Sequence, residues 1–241
     1  MTTQTLLKLL TEAGIGSRRR VAEAIINKHV KVNGKIVEDL RYPINTETDF
    51  ILIDEKPVEI TPKKTVTLML HKPEGFISTA SDEKGRKTVL DILPEKYRRL
   101  RLYPAGRLDR DSTGLILLTN DGELTYRLTH PRYEFEKEYL IYIEGQLRKD
   151  EKQKLERGIR LEDGITRPAI VREAKFSPPF NYSITIHEGK KRQVRRMLEK
   201  VGHRVLALKR IRMGNLKLGN LKEGKTRELS QQEVRFLVNQ S

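Results

Sequence analysis

The chain has 241 residues, no cysteine and a formal net charge of +15 at pH 7, from 48 lysines and arginines against 33 aspartates and glutamates. The lack of cysteine excludes disulfides, thiol catalysis and cysteine-based zinc sites, and the five histidines show no pair at metal-ligand spacing, so we expect no metal. The positive charge indicates a polyanionic partner, because contacts to several phosphates release counterions. No segment reaches the roughly 18 apolar residues of a membrane span, and the N-terminus lacks signal-peptide features. We therefore expect a cytoplasmic protein that does not enter a membrane.

The length predicts two domains with separate cores. In the first, helical periodicity predicts a helix over 4–15, and Ser17 stands where its hydroxyl would cap a second helix. Arg18, Arg19 and Arg20 form the first turn of that helix, where positive charge opposes the helix dipole unless an anion binds. A solvated charged turn is the alternative interpretation.

A β-hairpin is predicted next. Residues 30–37 alternate apolar and basic side chains around the Asn-Gly pair at 33–34, which favours a two-residue type I′ turn. We expect Lys31 and Lys35 to lie on one face of this hairpin. A closing strand is predicted over 50–53.

The polar, proline-containing segment 61–64 is predicted to be a linker. After it, 65–70 has the pattern of a strand, and 74–87 is predicted to be a long surface loop. Four basic residues within 96–101 lie near two tyrosines, a combination that suits the phosphates and unstacked bases of RNA.

The stretch 106–124 begins with charged residues, continues with the small residues 112–114 and then becomes apolar. Asp109 and Asp111 alternate with Arg107 and Arg110, and the apolar run 115–118 that follows predicts a buried strand. A carboxylate in a loop that enters a core strand is held rigidly, as catalysis requires. The alternative is that both acids are solvated and pair locally with the two arginines.

The rest of the chain contains further helices and strands. Strands are predicted over 140–143, 168–174, 182–186, 205–208 and 210–213, and helices over 123–129, 149–157 and 192–201. A capping box at 230–233 opens a last helix. Alternation places Tyr139, Ile141 and Ile143 on one side of their strand.

Four segments, in this order, resemble the RsuA/RluB-type pseudouridine synthases: GRLDRDSTGLILLTNDGEL at 106–124, HPRYEFEKEYLI at 130–141, EGKKRQVRRMLEKVGH at 188–203, and 205–229. Residues 3–60 resemble the S4 RNA-binding domain. The resemblance implies an α+β protein with a small S4-like α/β RNA-binding domain over 1–60, the linker at 61–64 and a catalytic domain over 65–241. That catalytic domain would be built on a mixed, mostly antiparallel β-sheet with flanking helices.

The resemblance also implies roles for single residues and a reaction that needs no cofactor. Asp109 matches the catalytic aspartate, Tyr139 the tyrosine that stacks on the target base, and Arg195 the arginine that pairs with the aspartate. Asp109 would act as nucleophile or as base, and both paths remain open. From its residue type alone, Tyr139 could equally be a packing aromatic. The residues expected to bind RNA are Arg18, Arg19, Arg20, Lys31, Lys35, Arg107, Arg192 and Arg196.

The implied reaction is the isomerisation of one uridine in ribosomal RNA to pseudouridine. The sequence around the motifs resembles the RluB branch more than the RsuA branch, which predicts large-subunit rRNA as the substrate. We expect the enzyme to be a monomer. One alternative is a small-subunit rRNA synthase, and another is a non-catalytic S4-domain protein of ribosome assembly. A third is a glycosidic hydrolase that uses Asp109 and Asp111 as an acid/base pair.

Overall fold

A computed structural model describes residues 3–60, 64–174 and 178–238. The chain divides into two compact units, Met1–Thr65 and Val66–Ser241. Most of the predicted linker at 61–64 lies outside the described residues. Within the described ranges, no helix is both long enough and apolar enough to cross a membrane.

The N-terminal unit has two helices and two small sheets. Its core is formed by apolar side chains of both helices and of the strands, including Leu6, Leu10, Ile25, Ile44 and Ile51. The sheets have the strand orders β1-β4 and β3-β2-β5-β6. In chain order the elements are β1 (Thr3–Thr5), α1 (Leu6–Glu12), α2 (Arg18–Ile26), β2 (Val30–Val32), β3 (Lys35–Ile36), β4 (Pro43–Asn45), β5 (Ile51–Ile53) and β6 (Lys56–Pro57).

The start of α2 confirms the predicted cap. The Ser17 side chain accepts a hydrogen bond of 3.2 Å from the backbone N–H of Arg20, so one of the unpaired amides of the first turn is satisfied. Arg18, Arg19 and Arg20 form that turn as expected, and their side chains are exposed.

The hairpin has the predicted turn but not the predicted lysine face. Asn33 and Gly34 both have positive φ, as a type I′ turn requires. The two-residue turn pairs Val32 with Lys35, and therefore Lys31 with Ile36. Because directly paired residues share a face of the sheet, Lys31 and Lys35 lie on opposite faces, and the prediction of one common face is wrong.

The C-terminal unit is built on one large sheet. Its elements are β7 (Thr67–Lys72), α3 (Glu95–Arg98), β8 (Tyr103–Pro104), β9 (Thr113–Thr119), α4 (Gly122–Thr129), a one-turn 3₁₀ helix (Pro131–Tyr133), β10 (Lys137–Ile143), α5 (Lys149–Arg157), β11 (Arg160–Leu161), β12 (Gly164–Ile165), β13 (Ile170–Glu173), β14 (Tyr182–Ile186), α6 (Gln193–Lys200), β15 (Val205–Met213), β16 (Leu216–Lys217), β17 (Thr226–Glu228) and α7 (Gln231–Val238).

The sheet has the order β13-β14-β10-β15-β9-β7-β17, with β16 beside β15 and β8 beside β9. The β9–β15 pair is parallel and the other described pairs are antiparallel, which confirms the expected α+β class with a mixed, mostly antiparallel sheet. One expectation fails: 205–213 is a single strand, not two. Lys209, the residue left between the two predicted strands, continues the ladder opposite Leu140.

Both faces of the central strand β9 are covered, which explains its continuous apolar run. Ile116 and Leu118 face one core, together with side chains of α5 and α6. Leu115 and Leu117 face a second core, together with side chains of α4 and α7. The loop that precedes β9 is therefore attached to a strand that is buried on both faces.

Candidate active site

Asp109 lies in the loop that connects β8 to β9, and the backbone on either side of it is held in place. The N–H of Leu108 donates to the Ser78 hydroxyl at 3.0 Å, and that hydroxyl donates to the Leu108 carbonyl at 2.8 Å. The N–H of Ser112 donates to the Asp109 carbonyl at 3.1 Å and closes a tight turn. With its backbone fixed, the Asp109 side chain remains 30% exposed.

Lys72, at the end of β7, attaches the same loop to the sheet. Its side chain is fully buried, and Nζ donates to the carbonyls of Ser112 (2.7 Å), Pro73 (3.0 Å) and Arg110 (3.4 Å). Burial lowers the pKa of Lys72 to about 8, although the charge of Asp111 acts in the opposite direction. A buried ammonium with carbonyl partners on this loop holds it against β7.

Gly114, the second residue of β9, lies directly against β15. Its φ is 105°, and a Cβ on this residue would lie 2.2 Å from the carbonyl oxygen of Arg210. A side chain there would be excluded both by the backbone conformation and by the neighbouring strand. Glycine thus allows the start of β9, just after the Asp109 loop, to lie directly against Arg210.

A cavity of about 670 Å³ opens beside Asp109. Its volume falls in the range of small-molecule sites, which is about 300–1,000 Å³. Tyr139 forms part of its wall and is itself 7% exposed. Its lining combines polar and apolar side chains, among them Arg107, Asp109, Ser112, Lys137, Tyr139, Arg192, Leu208, Arg210 and Met213.

Arg195 is close to the aspartate loop, but its carboxylate partner is Asp111. Its Nη2 lies 3.3 Å from Asp111 Oδ2 and donates to the Asp111 carbonyl at 2.8 Å, while Nη1 donates to the Val205 carbonyl at 2.8 Å. In the described part of the chain, the only ion pair of Asp109 within 4 Å is with Arg192, at 3.8 Å. The prediction of a direct Arg195–Asp109 pair is therefore wrong.

The difference follows from where the two arginines stand on α6. Arg192 precedes the helix in a left-handed conformation and is exposed, so it reaches the mouth of the cavity. Arg195 lies one turn further on, with only 12% of its side chain exposed. Burial raises the pKa of Asp111, but the hydrogen bonds from Arg192 and the charges of both arginines outweigh it and hold this pKa below its ordinary value.

The other predicted RNA contacts are distributed over both units. Arg107 is exposed at the cavity, whereas Arg196 makes a two-pronged pair with Asp163, with both N–O distances 2.9 Å. In the N-terminal unit, Arg19 pairs with Glu23 and Lys31 with Glu55.

Two cations in the cavity wall were not singled out by the sequence. Arg210 is 2% exposed, and its Nε donates to the Leu115 carbonyl at 2.7 Å. Lys137 donates to the Phe135 carbonyl at 2.9 Å, and burial, together with the charge of Arg210, lowers the pKa of Lys137 to about 8. The sequence did contain a signal for both residues. Arg210 lies two residues after Leu208, and Lys137 lies two residues before Tyr139. This two-residue spacing places the side chains of each pair on one face of a strand.

The family model of RNA pseudouridylate synthases matches residues 66–200, which include Asp109 and most of the residues that line the cavity, and more than half of the chain. The chain belongs to this family. An S4 domain model matches residues 4–51. The resemblance to the RsuA/RluB type is confirmed, and the enzyme is a pseudouridine synthase.

Relatives of this pseudouridine synthase match along nearly the whole chain. The ribosomal large subunit pseudouridine synthase B of Bacillus subtilis (strain 168) is 45% identical over 97% of this chain and 95% of its own. An RNA pseudouridine synthase of Aquifex aeolicus is 40% identical over 94% and 90% of the two chains. The crystal structure of a pseudouridylate synthase superimposes with a TM-score of 0.70 at 32% identity, covering 97% of this chain and 99% of that one.

Proposed function

We propose that this synthase converts one uridine of large-subunit ribosomal RNA to pseudouridine. The observation that carries the choice of RNA is the 45% identity, over 97% of the chain, to the Bacillus subtilis large subunit synthase. The Vibrio cholerae relative of the same name, 38% identical over 88% of this chain and 67% of its own, supports the same choice. The net charge of +15 suits a partner of this kind.

In the proposed mechanism, Asp109 supplies the carboxylate that acts at the ribose. The reaction breaks the bond between C1′ and N1 of uridine, turns the uracil and forms a bond between C1′ and C5. The C5 proton is lost and N1 gains a proton, so the reaction is balanced without an added reagent. The rigid loop around Asp109 favours this role because it fixes the carboxylate at the cavity wall.

Tyr139 is proposed to stack on the uracil. Its ring lines the cavity beside the apolar side chains of Leu208 and Met213, which form a surface suited to a flat base. Since a uridine stacked in a helix is not accessible, the target base would be flipped into the cavity or taken from a loop.

Arg195 is proposed to act on Asp109 indirectly. By holding the main chain and the carboxylate of Asp111, it fixes the loop two residues away from Asp109. Arg192 supplies the nearest cation to Asp109 and, being exposed, can also face a phosphate.

The S4-like domain, with Arg18, Arg19, Arg20, Lys31 and Lys35, is proposed to add phosphate contacts, and Arg107 and Arg196 to add others on the catalytic domain. These contacts would position the RNA without reading its base sequence. We propose 1–60 and 65–241 as the functional domains of a monomeric cytoplasmic enzyme.

Mapping pseudouridines in ribosomal RNA from cells with and without the gene tests this proposal. The expected result is the loss of one site in large-subunit RNA, which the purified enzyme restores on protein-free RNA. A missing site in small-subunit RNA would refute the choice of RNA, and release of free uracil would indicate a hydrolase. Bound but unchanged RNA would indicate a non-catalytic binding protein.

A further inference from the structure

The buried wall of the cavity contains a hydrogen-bond donor without a partner. Nη2 of Arg210 is inaccessible to solvent and has no hydrogen-bond partner in the described part of the chain. Nε of the same guanidinium is bound to the Leu115 carbonyl at 2.7 Å, and Nη1 makes only a long contact of 3.4 Å to the Tyr139 hydroxyl. Arginine stays protonated in proteins, so the unpartnered nitrogen is a charged donor whose isolation costs free energy.

No carboxylate within 4 Å balances this charge among the described residues, and the Lys137 ammonium in the same wall adds to it. A second buried polar atom without a partner, the Ser112 hydroxyl, belongs to the same cavity lining. The described residues contain five such atoms, and Arg210 and Ser112 are the two whose residues line this cavity, where a polar ligand can supply the missing partners.

The geometry points to Arg210 as the donor that holds a carbonyl oxygen of the target uracil. This inference rests on the proposed binding of a uridine in the cavity. Arg210 lies deep, at 2% exposure, beside the Tyr139 ring, Leu208 and Met213, where a base rather than the ribose-phosphate chain would reach. Phosphates would remain at the mouth, near the exposed Arg107 and Arg192.

The symmetry of uracil lets one fixed donor serve both stages of the reaction. A half-turn of the base about the axis through N3 and C6 places C5 where N1 stood, opposite C1′. The same half-turn exchanges the two carbonyl oxygens, O2 and O4. A donor beside the ring therefore meets one oxygen before the turn and the other after it, so Arg210 retains the detached base in both orientations.

The position of Arg210 is set firmly enough for this role. Its main chain pairs with Gly114, against which it packs so closely that no side chain fits there. Since Gly114 follows the Asp109 loop by few residues, the donor and the catalytic carboxylate are held by the same strand contact. Arg210 is thus a further residue that positions the base relative to Asp109.

Thio-substituted substrates test the inference, because sulfur accepts hydrogen bonds more weakly than oxygen. The RNA is the fragment that the wild-type enzyme modifies, prepared with uridine, 2-thiouridine or 4-thiouridine at the target position. The enzymes are wild type, Arg210→Met and, as control, Arg212→Met, whose arginine pairs with Glu136 and Glu138 and does not line the cavity.

For the wild type and the control, kcat/KM should fall roughly tenfold or more with each thio-substrate, as expected for a bond to a charged donor. For Arg210→Met, kcat/KM on the uridine substrate should be lower than that of the wild type by a similar factor. Replacing uridine by either thio-substrate should then lower kcat/KM of this variant hardly any further. If Arg210→Met discriminates against both thio-substrates as strongly as the wild type does, Arg210 has only a structural role and the inference fails.

Other outcomes are also decisive. A wild-type loss with only one thio-substrate would overturn the claim that Arg210 serves both orientations. If Arg210→Met does not fold, two other variants take its place. Arg210→Lys keeps a charged donor and should keep part of the discrimination against the thio-substrates. A folded Arg210→Gln variant that discriminates against them as strongly as the wild type does would count against the inference. A wrong choice of ribosomal subunit leaves this experiment intact, whereas a wild-type enzyme that modifies no RNA would refute the proposed function itself.

Discussion

The guanidinium of Arg195 holds Asp111 at two points: the carboxylate, at 3.3 Å, and the main-chain carbonyl, at 2.8 Å. The bond to the main chain is independent of the side chain at position 111. Arg195 therefore acts on the shape of the loop that contains Asp109, and its effect on catalysis is expected to be one of position.

Asp109→Asn should reduce isomerisation below about one-thousandth of the wild-type rate, as the loss of a nucleophile or base does elsewhere. The amide keeps the shape of the side chain and removes only its charge, so folding and RNA affinity should change little. Tritium release from RNA labelled at C5 of uridine measures the rate. Asp111→Asn, which keeps the main-chain bond to Arg195, is the matched control and should retain far more activity. Appreciable turnover by Asp109→Asn would contradict the proposed mechanism.

Arg195→Ala should lower kcat/KM about 100-fold with little change in RNA affinity, because a displacement of about 1 Å in a catalytic loop has an effect of that size. Arg196→Ala removes a partly exposed pair with Asp163 and one proposed phosphate contact, so RNA affinity should fall mildly while kcat stays within about threefold of wild type. Steady-state kinetics and RNA titrations on both variants check the contrast. Equal losses of activity in the two variants would show that Arg195 has no special position.

Gly114→Ala should destabilise the C-terminal unit by more than about 3 kcal/mol, since a positive φ alone costs about 1–3 kcal/mol and the new Cβ would also clash with the Arg210 backbone. Gly202→Ala is the control: its φ is also positive, at 90°, but nothing lies within 4 Å of the new Cβ. Urea unfolding of both variants separates backbone strain from the clash. Similar losses in the two variants would mean that the strands separate to admit a side chain.

Stability should rise as the pH increases above about 8, because burial lowers the pKa values of Lys72 and Lys137 from 10.5 to about 8. Below pH 8, both the folded and the unfolded chain carry these protons. Between pH 8 and 10.5, the folded chain has released them while the unfolded chain keeps them, so the free energy of unfolding increases with pH. Lys137→Met should show a smaller rise than wild type in urea unfolding at about pH 7 and about pH 9.5. An equal rise in the variant would show that Lys137 is not desolvated.

A chain that begins at Val66 should fold, because its core is separate from that of the N-terminal unit. It should bind RNA more weakly, and each lost phosphate contact should reduce the slope of log K against log salt concentration by roughly 0.7–0.9. Binding titrations at several salt concentrations measure the slope. An unchanged slope would show that Arg18, Arg19, Arg20, Lys31 and Lys35 do not contact the RNA.

Much of the local structure could be predicted from the sequence because its causes are local. The Ser17 cap, the type I′ turn at 33–34 and the central strand around 115–118 each depend on residues within a few positions. The Ser230 capping box is a further example: its reciprocal bonds with Glu233 form as predicted. The stretch that contains Asp109 was also evident, since a carboxylate that enters a buried strand is visible in the sequence pattern.

The partners within the site were decided by tertiary structure. Arg195 and Asp111 are 84 residues apart in the chain, Arg210 and Leu115 are 95 apart, and these contacts exist because β15 lies beside β9 and α6 contacts β15. Sequence periodicity indicates which face of an element is buried, but not which strand will be its neighbour. The resemblance alone therefore assigned Arg195 to Asp109, two residues away from its actual partner, Asp111. The buried charge of Arg210 could not be predicted from the sequence for the same reason. Only the folded sheet shows that the apolar face of the strand that contains Arg210 turns towards a cavity.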